Sequence, residues 1–265
     1  MGFPGKFVNS GYIIAPVSNV PLIVQQATDR WPGQNTASPP DNSQSLTRTL
    51  ILPNSITAGN SLVIFAAQYN LGGAGGTVSF TDSLGNTYPA AARRVDDDDS
   101  SANMSLYVFC MPRIVNPGAC TLTATFAQLE WQALLALELS GLSASPILDS
   151  AGNVQTATAT TADFLTTGTM AGGSNKGIVL GICLNGTDQN TANGGGVGSP
   201  DLGTGFTAIN SGIINWSGWE NSFVGPACAC EYKTFSSAMG SVAATFTPKK
   251  AAESYVSLAI ALQAA

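Results

Sequence analysis

The chain has 265 residues, of which 44% are hydrophobic and only 10% charged, against roughly 25% charged in ordinary soluble domains. That length permits one large β domain or two small ones with a sizeable core. With ten Lys and Arg, a net charge of −6 and no histidine, the composition argues against nucleic acid and anionic membranes as partners, and it removes Ser-His-Asp and Cys-His catalysis and His-ligated zinc.

The first segment, "MGFPGKFVNSGYIIAPVSNVPLIV", carries one Lys, and prolines interrupt its apolar part, so it does not read as a secretory signal. No stretch approaches the ~20 apolar residues of a membrane helix. "DRWPGQNTASPPDNSQS" (29–45) is a polar, proline-rich connector. Residues 1–49 therefore read as an extended N-terminal arm or an edge-strand addition, not a domain. A β-sandwich domain is expected over 50–265, its patterning beginning near "RTLILP" (48–53).

Short β-rich runs follow, separated by Gly, Asn, Ser and Pro. "SLVIFAAQY" (61–69), "GTVSFTD" (76–82), "SLYVFCM" (105–111) and "CTLTATF" (120–126) are such runs, and their spacing is that of a sandwich. "TDSLGNTY" (81–88) joins two of them. Asp82-Ser83-Leu84-Gly85-Asn86 predicts a type I turn with a glycine bulge, because Gly supplies φ > 0 and Asp bonds the backbone two residues on. A calcium loop would need several oxygen ligands at alternate positions, and this stretch has one carboxylate.

The acid run of Asp96, Asp97, Asp98 and Asp99 is expected in an exposed loop, since four adjacent carboxylates repel each other. Bound calcium would relieve the repulsion, but an extended segment points only alternate aspartates one way. No cofactor is expected. "LEWQALLALELSG" (129–141) is rich in helix formers, yet an internal comparison makes it a core strand.

That comparison finds the chain repeating itself at an offset of roughly 113–126 residues. "TAGNSLVIFAAQYNLGG" (57–73) matches "AGGSNKGIVLGICLNGT" (171–187), and "VSFTDSLGN" (78–86) matches "TGFTAINSG" (204–212). "GACTLTATF" (118–126) matches "GSVAATF" (240–246), and "WQALLALELSG" (131–141) matches "SYVSLAIALQA" (254–264). Pseudo-halves of about 50–143 and 165–265 are expected to interleave into one two-sheet sandwich. A second turn, built on Asp149, Gly152 and Asn153 of "LDSAGN" (148–153), is expected in the link between them.

Later stretches hold the ligand candidates. "NGTDQNTANGGGVGSPDLGTG" (185–205) is a long glycine-rich loop with no phosphate-loop ending. In "INWSGWENS" (214–222), Trp216 and Trp219 beside Glu220 and Asn221 would suit stacking on a sugar ring and bonding its hydroxyls. The competing reading places the two tryptophans in the core or at a subunit contact. Cys110, Cys120, Cys183, Cys228 and Cys230 read as small buried hydrophobes, an odd set that does not make a disulfide framework. Glu130, Glu138, Glu220 and Glu231 are the carboxylates a glycosidase would need, but no spacing brings two together.

The run "AGNSLVIF" (58–65), "TDSLGNTY" (81–88), "SLYVF" (105–109), "GACTLTATF" (118–126), "LELSGL" (137–142) and "SYVSLAIAL" (254–262) resembles a recurrent β-sandwich of phage virion and bacterial surface proteins, marked by a D-S-x-G-N-T-[YW] turn. The resemblance covers roughly residues 50–265. It implies an all-β, two-sheet antiparallel, jelly-roll-like sandwich used for structure or attachment, with no catalytic residues to carry over. The expected role is a non-enzymatic structural virion protein, a capsid decoration or other head or tail surface protein, contacting copies of itself and a major capsid or other virion protein through its arm. It would be assembled in the host cytoplasm and displayed on the virion surface. The alternative is a carbohydrate- or receptor-binding module of a tail fibre or bacterial adhesin, extracellular or at the cell surface.

Overall fold

β-Branched and aromatic residues fit a pleated, half-buried surface, and glycine and asparagine close the turns between them. The computed structural model describes residues 20–29, 45–69, 75–97, 104–155, 165–185, 200–209, 227–248 and 254–265. They form seventeen strands, and no helix occurs among the described residues.

The first half supplies β1 (Leu22–Asp29), β2 (Ser45–Ile51), β3 (Ser61–Tyr69), β4 (Val78–Asp82), β5 (Arg93–Asp97), β6 (Met104–Met111) and β7 (Thr121–Ser140). The second supplies β8 (Leu142–Gln155), β9 (Leu165–Thr166), β10 (Met170–Gly173), β11 (Gly177–Asn185), β12 (Asp201–Leu202), β13 (Thr207–Ala208), β14 (Ala227–Phe235), β15 (Gly240–Val242), β16 (Thr245–Thr247) and β17 (Tyr255–Ala264). All named pairings are antiparallel.

β7 organises the first half. The two runs expected at 120–126 and 129–141 are one continuous strand, and the helix formers of its second part lie in a ladder. Its first part pairs with β2 and β4, for example Leu122 with Leu50 and Ala124 with Phe80. Its second part pairs with β1 and β3, Ala136 lying opposite both Ala27 and Ile64. One strand thus serves an outer and an inner sheet, the inner running β1-β7-β3-β6-β5. The second half builds an inner sheet in the order β8-β17-β11-β14-β13, with short outer sheets β12-β16-β9 and β10-β15.

Three apolar layers hold these sheets. Phe65, Leu106, Val108, Leu135 and Leu137 meet Leu180, Ile182, Val256, Leu258 and Ile260 between the two inner sheets. Leu62, Ile64 and Phe109 turn the other way, onto Leu50, Phe80 and Leu122 of the first outer sheet. Val179, Tyr255 and Ala259 likewise face Phe246, Leu165 and Met170. The halves do not interleave among the described residues. Each keeps its own strands and its own private core, and they pack inner sheet to inner sheet. The physical reason is visible in β6, buried at all eight positions. A strand apolar on both faces needs a cover on each side, and a two-sheet sandwich offers only one.

Two further differences concern the sequence reading. Of the two readings for residues 1–49, the described residues are edge-strand: β1 borders the inner sheet and β2 pairs in the outer one. "LDSAGN" is not a turn. Asp149, Gly152 and Asn153 lie inside β8, opposite Ala261, Leu258 and Ser257 of β17. Asp149 still makes the short-range bond its type favours, Oδ1 accepting from Ser150 N at 2.8 Å, beside a register break. The glycine serves a close approach instead of a reversal. A Cβ on Gly152 would stand 2.1 Å from Val95 Cγ2 of the facing sheet.

Candidate functional site

The stretch 82–88 is a local network closed upon itself. Asp82 Oδ1 accepts from the backbone N of Leu84 at 2.9 Å and of Asn86 at 3.0 Å. Its Oδ2 accepts from Asn86 Nδ2 at 2.9 Å and from Tyr88 OH at 2.7 Å. Gly85 adopts φ 75°, as the turn requires. Asn86 then ties the turn to the loop before β7, its Oδ1 accepting from Val115 N and Asn116 N. A carboxylate has about four lone-pair sites, so these four donors leave none for a cation. Burial raises the Asp82 pKa, but the bonds from Asn86, Tyr88 and the backbone outweigh it and hold the carboxyl below its ordinary value. Burial and the same carboxyl push the Tyr88 phenol up.

Asp96 and Asp97 are the last residues of β5, not part of a solvated loop. Asp96 Oδ1 accepts from Arg94 Nε at 2.7 Å and Ser105 Oγ at 2.6 Å. Arg94 lies over the Tyr107 ring and also donates to Gly75 O. Asp97 is buried. Asp98 and Asp99 lie outside the described residues, as do Trp216, Trp219, Glu220 and Asn221. No group of three or more His, Cys, Asp or Glu side chains fit to hold a metal occurs among the described residues.

Glu138 and Glu231 are fully buried, in different halves. Glu138, on β7, receives Gln25 Nε2 at 2.5 Å on one oxygen, and Thr57 N at 2.9 Å and Asn60 Nδ2 at 2.6 Å on the other. Gln25 also exchanges bonds with the backbone of Asn54. The carboxyl therefore fastens β1 and the loop before β3 to β7. Glu231, on β14, receives Gly203 N at 2.7 Å and Thr245 N at 3.2 Å, fastening the second outer sheet to its inner one. Burial pushes its pKa to about 7, against the opposing pull of those two bonds. The two carboxyls do not form a catalytic pair; each closes a joint between elements.

All five cysteines are buried and free. Cys228 and Cys230 share a strand face, with sulfurs 3.5 Å apart. Burial pushes the Cys110 thiol up to about 12 and the Cys120 thiol up to about 11, and it raises Cys183 and Cys228 well above the ordinary value. Such thiols are inert apolar filler.

One feature had no sequence signal. A slot of 360 Å³ opens between the edges of the two inner sheets, lined by Ile23, Val24, Gln25 and Gln26 of β1, by Ala208 and Ile209, and by Tyr232 of β14. Of these, Val24 is 49% exposed. The sequence hides it because its two walls, residues 23–26 and 208–232, are far apart in the chain.

No protein-family model matches the chain. No curated protein is significantly similar to it.

Proposed function

We propose that this chain is a structural protein of a phage virion, a capsid decoration or another head or tail surface protein, which assembles with copies of itself and with a larger virion protein. The reading begins from composition: a polar, weakly charged exterior with no histidine in the chain. The observation that carries it is the surface of the sandwich. Leu22, Val24, Leu46 and Ile51 are large apolar side chains at 47% exposure or more on two edge or outer strands, β1 and β2. Exposed apolar side chains of this kind suit burial against neighbouring subunits. The buried carboxyls support the same reading, since Glu138 and Glu231 are committed to holding layers together. We read the matching strand orders of the two inner sheets as an internal duplication, which would suit a protein selected for a stable shape.

The test is co-sedimentation of the purified chain with capsid shells and tails of the phage that encodes it, with immunogold labelling of intact virions. Saturable binding and surface label are expected. A chain absent from purified virions, with no affinity for shells or tails, would overturn the proposal.

A further inference from the structure

At one end of the first half's outer layer the apolar side chains give way to amides. Gln68 of β3 and Gln132 of β7 lie opposite each other on one rung. Gln68 follows Ala66 by two residues and Gln132 precedes Leu134 by two, so both share the face that packs on the outer sheet. They are 1% and 5% exposed. Each amide has one atom engaged and one without a partner among the described residues. Gln132 Nε2 meets Gln128 O at 3.3 Å, which leaves its Oε1. Gln68 Oε1 stands 3.2 Å from Tyr107 OH, which leaves its Nε2. The two amides are not bonded to each other.

The Tyr107 hydroxyl decides which way the Gln68 amide faces. A phenol has one proton to donate. Tyr107 gives it to Gly76 O, at 2.6 Å. Burial raises the Tyr107 phenol above its ordinary value, so the proton stays on it. Toward Gln68 the Tyr107 oxygen can then only accept. A half-turn of an amide exchanges its oxygen and nitrogen without changing its shape. The half-turn puts Gln68 Nε2 on Tyr107, where a donor is needed, and turns Oε1 to the other side. Gln132 is fixed by the Gln128 carbonyl, which takes only a donor. Two amide oxygens then stand on neighbouring strands in the interior, and neither can serve the other.

We propose that one water molecule is bound between Gln68 and Gln132, donating a proton to each amide oxygen. A buried acceptor without a donor bears its full desolvation cost. Buried waters make about two to four bonds, to polar groups that are otherwise unsatisfied. Side chains directly opposite on a ladder have Cβ atoms about 4.5–5.5 Å apart, a spacing one water can bridge. Both residues are sealed from solvent, so nothing much larger enters. A calcium ion would take about six to eight oxygens, and the two amides offer two. The water ties β3 to β7 at this end of the layer, as Glu138 ties β1 and the loop before β3 to β7 at the other.

The inference stands apart from the role proposed above. A high-resolution crystal structure of the full chain tests it. A water is expected within about 2.7–3.0 Å of both amide oxygens. A direct bond between the two amides, or a pair with no water between them, would overturn it. In solution, oxygen-17 magnetic relaxation dispersion counts long-lived internal waters in the parent and in the double variant Gln68→Leu, Gln132→Leu, with circular dichroism as the check on folding. The variant is expected to hold one fewer. An unchanged count in a folded variant would also overturn the inference, and if the variant does not fold the crystal structure of the parent decides.

Discussion

Removing the Gln25 amide should loosen β1 from the rest of the sandwich. Gln25 is 7% exposed and makes three hydrogen bonds through its amide: to the Glu138 carboxyl, to Asn54 O and from Asn54 N. A typical buried bond contributes about 1 kcal/mol net, and an orphaned buried partner costs about 1–3 kcal/mol. Gln25→Ala takes one donor from a carboxyl that water does not reach, and it leaves two Asn54 backbone groups to be rehydrated. The expected loss is about 3–4 kcal/mol. Urea unfolding of the full chain, followed by tryptophan fluorescence and circular dichroism, measures it. Thr49→Ala, at an exposed position of β2, serves as the reference and should stay within about 0.5 kcal/mol. If Gln25→Ala costs no more than Thr49→Ala, the Glu138 network does not hold β1, and the role assigned to that carboxyl is wrong.

Glu231 has a folded pKa of about 7 against an ordinary 4.5, so the folded state holds a proton that the unfolded chain releases. Its contribution is full below pH 4.5 and is lost as pH rises through 7, a change on the order of 3 kcal/mol. Glu231→Gln should flatten that part of the stability profile in urea titrations at pH 5 and pH 8, and an unchanged profile would argue against it. The five thiols should resist Ellman's reagent in the folded protein and react together in denaturant; one fast thiol without denaturant would contradict their sealed setting. Gly152→Ala should cost about 1–3 kcal/mol through its clash with Val95, and Val95→Ala should recover part of that loss in a double-mutant cycle. Additive losses would show that the two sheets do not meet there.

The sequence disclosed what is decided locally. The turn at Asp82 was legible because its four donors lie within six residues of the carboxyl, and the strands were legible because their apolar runs end at turn residues. "LEWQALLALELSG" became a strand only by comparison with its partner at 254–264, since its own propensities point to helix. "LDSAGN" misled for a related reason. The same letters that close a turn at 82–86 lie extended at 149–153, because β17 supplies a full ladder there and Val95 requires a bare glycine. Neither influence is local. The burial of Glu138 depends on Gln25, 113 residues away, and that of Glu231 on Gly203 and Thr245. Nothing in the spacing of those residues announces the joint.

The place of β7 in the chain has a consequence for synthesis. β1, β2, β3 and β4 all pair with β7, which is made after every one of them. In the second half β8 and β11 likewise await β17. Each half therefore emerges from the ribosome as a set of strands lacking the one that joins them. With translation at about 5–20 residues per second, β1 waits several seconds for its partner. The first sandwich can close once residue 140 is clear, before the second has begun to form. Nascent-chain folding should then proceed in two abrupt steps, each set by the arrival of one strand.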